Sequence, residues 1–199
     1  MLDEDVIRPL IVINLIFFAL EFIIGNSFTN SLMLSSQHFL TEPWRLLTHM
    51  FLHNQNSLSH LFFNMYALFI FGPLVQQVVG PKKFLQIYLG TGLIAAIVAN
   101  SYHLLLGQTF TGLGASGAIM GILGVMIILI PRMKLLLFFF IPMPLWIAGI
   151  LWFILDTLGL FGYGMGGVAN IAHLGGMISG LLIGLYLKKV KKVSVVMRY

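Results

Sequence analysis

Apolar residues run along this chain in long blocks, broken by short polar or glycine-rich stretches. A helix crossing a bilayer needs about 20 residues at 1.5 Å each. Six blocks approach or reach that length: Ile7–Ile24, Leu58–Val79, Phe84–Leu106, Ser116–Ile130, Leu145–Leu160 and Val168–Leu187. The pattern predicts an all-α, polytopic membrane protein: a six-helix bundle forming a single domain over residues 1–199, without internal repeats. An even number of spans puts both termini on one side. The first block is too long for a signal peptide, and no small-residue cleavage site follows it. Between the fourth and fifth blocks, Leu135–Ile141 is too short to cross and ends in Pro142 and Pro144. It is expected to form an interfacial lead-in to the fifth span, or else part of one long kinked helix.

Two connections break the pattern of short loops. Residues Gly25–Ser57 are only half polar and contain Trp44, so this segment is expected to lie in the outer leaflet rather than in water. Residues Gly159–Gly167 are glycine-rich and suit either a mobile lid or a plain turn.

Composition narrows the class further. Only 9% of the 199 residues are charged and 59% are hydrophobic, whereas soluble domains carry roughly a quarter charged residues. A water-exposed surface cannot be built from that stock. The chain has 0 Cys, which removes disulfide scaffolds, thiol chemistry and thiolate metal sites. Its net charge of +5 is a matter of topology. Of the 11 Lys and Arg, all but Arg45 fall in the segments that share a side with the termini. The positive-inside rule then makes both termini cytoplasmic in a multi-pass protein of the cell membrane. Nucleic acid is not an expected partner; membrane lipid is, at the basic tail.

Polar residues at membrane depth are costly and therefore informative. Ser116 lies in Gly114-Ala115-Ser116-Gly117 and opens the fourth block. The first amides of a helix have no intrahelical partners and carry the positive end of its dipole, so they can stabilise a developing anion. A helix-capping or packing serine would look the same on its own. His173 shifts the balance. Ser116 and His173 each stand about 23 Å, at 1.5 Å per residue, above the first basic residue that ends their blocks, Arg132 and Lys188. They therefore sit at matching depth on parallel helices. Gly176, Gly180 and Gly184 form a small-residue seam that lets a neighbouring helix come close. His173 is accordingly expected to act as general base to Ser116. His60 and Asn64, four residues apart on one helix face, approach the same depth and can supply neutral donors to an oxyanion. Glu21 and Asp156 are the acids within the spans. Nothing in the spacing brings Asp156 to His173, so a serine–histidine dyad is expected. His49, His53 and His60 suggest zinc as an alternative, but there is no HExxH and the nearest carboxylate, Glu42, lies in the loop. No metal or cofactor is expected.

These residues, taken in order, resemble the rhomboid intramembrane serine proteases: Trp44-Arg45, Thr48-His49 with His53, His60-x3-Asn64, Gly114-x-Ser116-Gly117, and Ala172-His173 ahead of the glycine seam. The resemblance covers nearly the whole chain, from Trp44 to Leu187. It implies that Ser116 is the nucleophile and His173 the base. His60, Asn64 and the Ser116 amide would form the oxyanion hole, with Gly114 and Ala115 beside them at the substrate. Residues 159–167 would map to a cap, and the substrate would be a transmembrane segment of another membrane protein. Two departures stand out. Met120 replaces a tyrosine common in the bacterial members, and Gln76 replaces a glutamate. The rival readings are a catalytically inactive rhomboid-like binding protein and a small transporter or channel, whose polar residues would line a path.

Overall fold

The computed structural model describes residues 5–137, 141–163 and 169–191. Six main helices follow the apolar blocks closely: α1 (Ile7–Ile24), α4 (Leu58–Val79), α5 (Pro81–Leu105), α6 (Ser116–Leu129), α7 (Leu145–Leu160) and α8 (Asn170–Lys189). Two short helices, α2 (Asn26–Leu32) and α3 (Arg45–Thr48), lie in the first long loop, as does the 3₁₀ turn His49–Phe51. Four helices, α1, α4, α5 and α8, are long and apolar enough to cross a membrane; α6 and α7 are shorter but apolar. The chain is a helical membrane bundle.

Helix α6 is its axis. Every residue from Gly117 to Met126 is buried, and α4, α5, α7 and α8 pack around them. Its 14 residues cover only about 21 Å, less than the roughly 30 Å of hydrocarbon. A helix this short, bracketed by longer ones, starts inside the bundle. Glycines set the spacing. A side chain on Gly176 would overlap the carbonyl oxygen of Gly117, and one on Gly180 that of Gly121. In return, Gly124 sits against the backbone of Met177 and Leu181. Backbone therefore meets backbone along α6 and α8, the closest approach two helices can make. On the α5 side, the Thr91 hydroxyl fills the notch at Gly121.

The first loop is folded rather than loose. Arg45 is buried and its guanidinium donates to the Glu42 carboxylate (2.6 Å), to the carbonyl of Met33 (2.9 Å) and to that of Asn30. The Thr48 hydroxyl donates to the Leu32 carbonyl at 2.7 Å. Strand β1 (Leu34–Ser35) pairs antiparallel with β2 (Thr111–Gly112), just ahead of α6. Leu40, Trp44 and Leu47 remain exposed on the loop's outer face.

In the segment before α7 the alternative of one long kinked helix does not form. Instead β3 (Lys134–Leu137) and β4 (Ile141–Pro144) make an antiparallel ladder, with Lys134 opposite Pro144 and Leu136 opposite Pro142. Proline lacks an amide hydrogen and cannot support a helix interior, but an edge strand accommodates it. Gln76 ties α4 to α1, because its Oε1 accepts the Val6 amide at 3.2 Å and caps the start of the first helix.

Candidate active site

The groups of the site are held by four helices, α4, α6, α7 and α8. Ser116 is the first residue of α6, so its amide belongs to the turn whose N–H groups lack intrahelical acceptors. Just before it, Gly114 adopts φ 121°, a backbone shape that side chains disfavour. A Cβ there would also strike the His60 ring. The Gly114 amide donates to the His49 carbonyl at 2.9 Å, fastening the approach to Ser116 onto the first loop. Ala115 is fully buried, and its carbonyl accepts the Ile119 amide at 3.0 Å. Gly114 and Ala115 thus fix the approach to Ser116, and the Gly114 amide is already committed to His49.

His173 lies in the first turn of α8. Its Nε2 is 2.8 Å from the Ser116 Oγ, across 57 positions of sequence. The matching depths inferred from residue counts correspond to this contact. On the other side of the ring, Nδ1 is 3.1 Å from the Asp156 Oδ1 of α7. A carboxylate only accepts, so Nδ1 carries the proton and Nε2 is left to accept from the serine hydroxyl. The expectation that His173 has no carboxylate partner is therefore corrected: the contact set is Ser116, His173 and Asp156. Spacing could not show this, because Asp156 reaches the ring only through the docking of α7 on α8. Gly159 of α7 abuts the Asn170 side chain of α8 one turn away.

His60 lies on α4, with its Nδ1 accepting the Asn54 amide at 3.4 Å. The proton then sits on Nε2, and the ring atoms nearest the Cβ position of Gly114 are Cε1 and Nε2. His60 thus offers an N–H on the Ser116 side. Asn64 is buried, and its Nδ2 donates to the His60 carbonyl at 2.8 Å. One of its two amide hydrogens is engaged there. Ser116, His173, His60, Asn64 and Met120 all line one cavity of about 900 Å³, which continues past Phe71 of α4 and Trp152 of α7.

Two histidines outside the spans serve the framework. Complete burial pushes His49 down to about 4, although its Nδ1 donates to the Arg45 carbonyl at 3.0 Å. Burial, with the nearby His60 as a lesser cause, pushes His53 down to about 3. The His53 amide in turn donates to the Glu21 carboxylate at 2.9 Å. Glu21, fully buried on α1, also accepts from the Thr29 hydroxyl at 3.2 Å. It pins the first loop to the first helix, a role the sequence did not disclose. Among the described residues no cluster of three or more His, Asp or Glu could hold a metal ion. Residues 164–167 of the expected cap lie outside the described residues.

The Rhomboid domain family matches residues 40–190. This chain belongs to the rhomboid family. Its similarity to other members is spread along the length of the domain. It is 33% identical over 156 residues to the rhomboid protease GlpG of Haemophilus influenzae, covering 77% of this chain and 74% of that protein. Against the rhomboid protease GluP of Bacillus subtilis it is 32% identical, over 83% of this chain and 31% of that one. Against rhomboid protein 1, mitochondrial, of Saccharomyces cerevisiae it is 31% identical, over 81% and 47% respectively. The rhomboid chain thus spans about a third to a half of the length of the last two relatives. The matched region contains every site residue named above.

Proposed function

We propose that this rhomboid is an intramembrane serine protease that hydrolyses peptide bonds in or near transmembrane segments of other membrane proteins. The carrying observation is the 2.8 Å approach of the Ser116 Oγ to the His173 Nε2 in a cavity inside the bundle. His173 takes the hydroxyl proton as Oγ attacks the scissile carbonyl, then delivers it to the leaving amine, which departs as the C–N bond breaks. Water, deprotonated by the same imidazole, adds to the acyl-serine ester; the C–Oγ bond breaks, the imidazolium returns its proton to the Ser116 Oγ, and the carboxylate product leaves. The His60 Nε2–H, the Ser116 amide and, after a small reorientation, the Asn64 amide supply the oxyanion donors.

Membrane depth explains the substrate class. A peptide bond inside a helix is shielded by its own turn, so the substrate must unwind locally, which Gly and Pro favour. Phe71 of α4 and Trp152 of α7 both line the cavity, which supports lateral entry of the substrate from lipid past these two helices. We place both termini in the cytoplasm and the cavity mouth outside, from the distribution of Lys and Arg. The exposed Leu40, Trp44 and Leu47 of the first loop suit an outer-leaflet position. A catalytically inactive, binding-only rhomboid has no use for a serine aligned on a base.

The test uses purified protein, a serine-directed fluorophosphonate and a reconstituted transmembrane substrate. Labelling and cleavage are expected from the parent and absent from Ser116→Ala. Absence of both from the parent overturns the reading.

A further inference from the structure

A third group belongs to the reaction centre. The Asp156 Oδ1 lies 3.1 Å from the His173 Nδ1, and the two side chains are only 7% and 14% exposed. The second carboxylate oxygen, Oδ2, is buried and has no hydrogen-bond partner among the described residues. The carboxylate's interaction is thus concentrated on one atom of the imidazole, the nitrogen opposite the one facing Ser116.

A carboxylate so placed is not needed to dock its helix. One turn further along α7, Gly159 is packed against Asn170, itself one turn before His173. Gly149 is likewise closed by the Ile127 side chain of α6. The register of α7 is therefore set by contacts that do not involve charge. Burying a carboxylate at such a seam is costly unless it is partnered. Among the described residues, the other titratable side chains beside the ring or lining its cavity are Asp156 from α7, His60 from α4 and His53 of the first loop.

From this geometry we infer that Asp156 is a positioning residue acting through His173, making the centre a Ser116–His173–Asp156 triad rather than a two-residue one. By accepting the Nδ1–H it holds the ring's plane and its tautomer, so that Nε2 is the bare nitrogen facing the serine. It also stabilises the imidazolium present between proton uptake from Ser116 and delivery to the leaving amine. No proton passes to Asp156 itself. The inference rests on the protease reading above.

The test compares Asp156→Asn and Asp156→Glu with the parent as full chains reconstituted in bilayers. It follows kcat and KM on a transmembrane substrate, and the rate and final stoichiometry of fluorophosphonate labelling. Final stoichiometry counts correctly folded sites; the labelling rate reports how well Ser116 is activated. The expected result for Asp156→Asn is a kcat lower by about 100-fold or more, a KM within about threefold of the parent, and slow labelling that still reaches the parent's endpoint. Asp156→Glu should recover part of the rate. A kcat and labelling rate within threefold of the parent overturn the inference. So does a loss explained wholly by a lower endpoint, which would make Asp156 a folding residue. Failure of the protease reading looks different, because the parent itself would neither label nor cleave.

Discussion

Gly176 of α8 lies so close to the carbonyl oxygen of Gly117 on α6 that no side chain fits between them. This contact is one residue beyond Ser116 and one turn beyond His173, so the distance between nucleophile and base is set by a glycine seam. Gly176→Val and Gly180→Val are expected to force α6 and α8 apart. Overpacking of a tight contact typically costs about 1–3 kcal/mol, and backbone neighbours cannot yield as a flexible side chain would. Detergent or steric-trap unfolding should show the loss, together with abolished fluorophosphonate labelling. Gly90→Ala is the contrast. It meets nothing within 4 Å, and alanine in a helix should be neutral or stabilising by about 0.5–1 kcal/mol.

His60 and Asn64 differ in readiness. His60 already carries its proton on Nε2, toward Ser116, whereas Asn64 donates to the His60 carbonyl. His60→Ala should lower kcat by about 100-fold or more, the usual scale for losing an oxyanion donor. Asn64→Ala should cost less, about tenfold, with KM little changed in both. Equal and negligible effects would remove the pair from the oxyanion site.

Arg45 organises the first loop from within. Arg45→Ala would strand the Glu42 carboxylate and the carbonyls of Asn30 and Met33. The expected cost is about 2–4 kcal/mol. Arg45→Lys should not restore it, because an ammonium cannot span three acceptors with a planar fork. The unfolding midpoint checks both.

His49 and His53 are buried neutral, held near 4 and 3. In the unfolded chain both would titrate near 6.5. Above that value neither state binds the proton and stability is unaffected. As pH falls from 6.5 towards 4, only the unfolded chain gains protons, so stability declines. The thermal midpoint of the parent should therefore be level between pH 7 and 8 and drop from pH 6.5 to 4.5. His53→Phe should flatten that drop. An unchanged slope would show that other groups control it.

Much of the architecture is written in the chain. The six apolar blocks, bounded by glycine, proline and basic residues, coincide with the six main helices because lipid leaves a backbone few alternatives to helix. Ser116 and His173 are legible as a pair because helical rise is constant: counting from Arg132 and Lys188 gives their depths. Residues 134–144 are not legible in the same way, because a short apolar run has no distinguishing period. The two prolines fit an edge strand as well as a helix break.

Sequence alone thus determined composition, span positions and the depth of each polar residue, all of which depend on local order along the chain. Which helices became neighbours was decided only by tertiary structure. The α6–α8 seam brought Ser116 to His173, and the docking of α7 on α8 added Asp156, an acid within a span whose partner no spacing revealed. Depth is a one-dimensional quantity that residue counting measures. Lateral placement depends on which surfaces interlock, and at Gly117, Gly176 and Gly159 that was settled by shape.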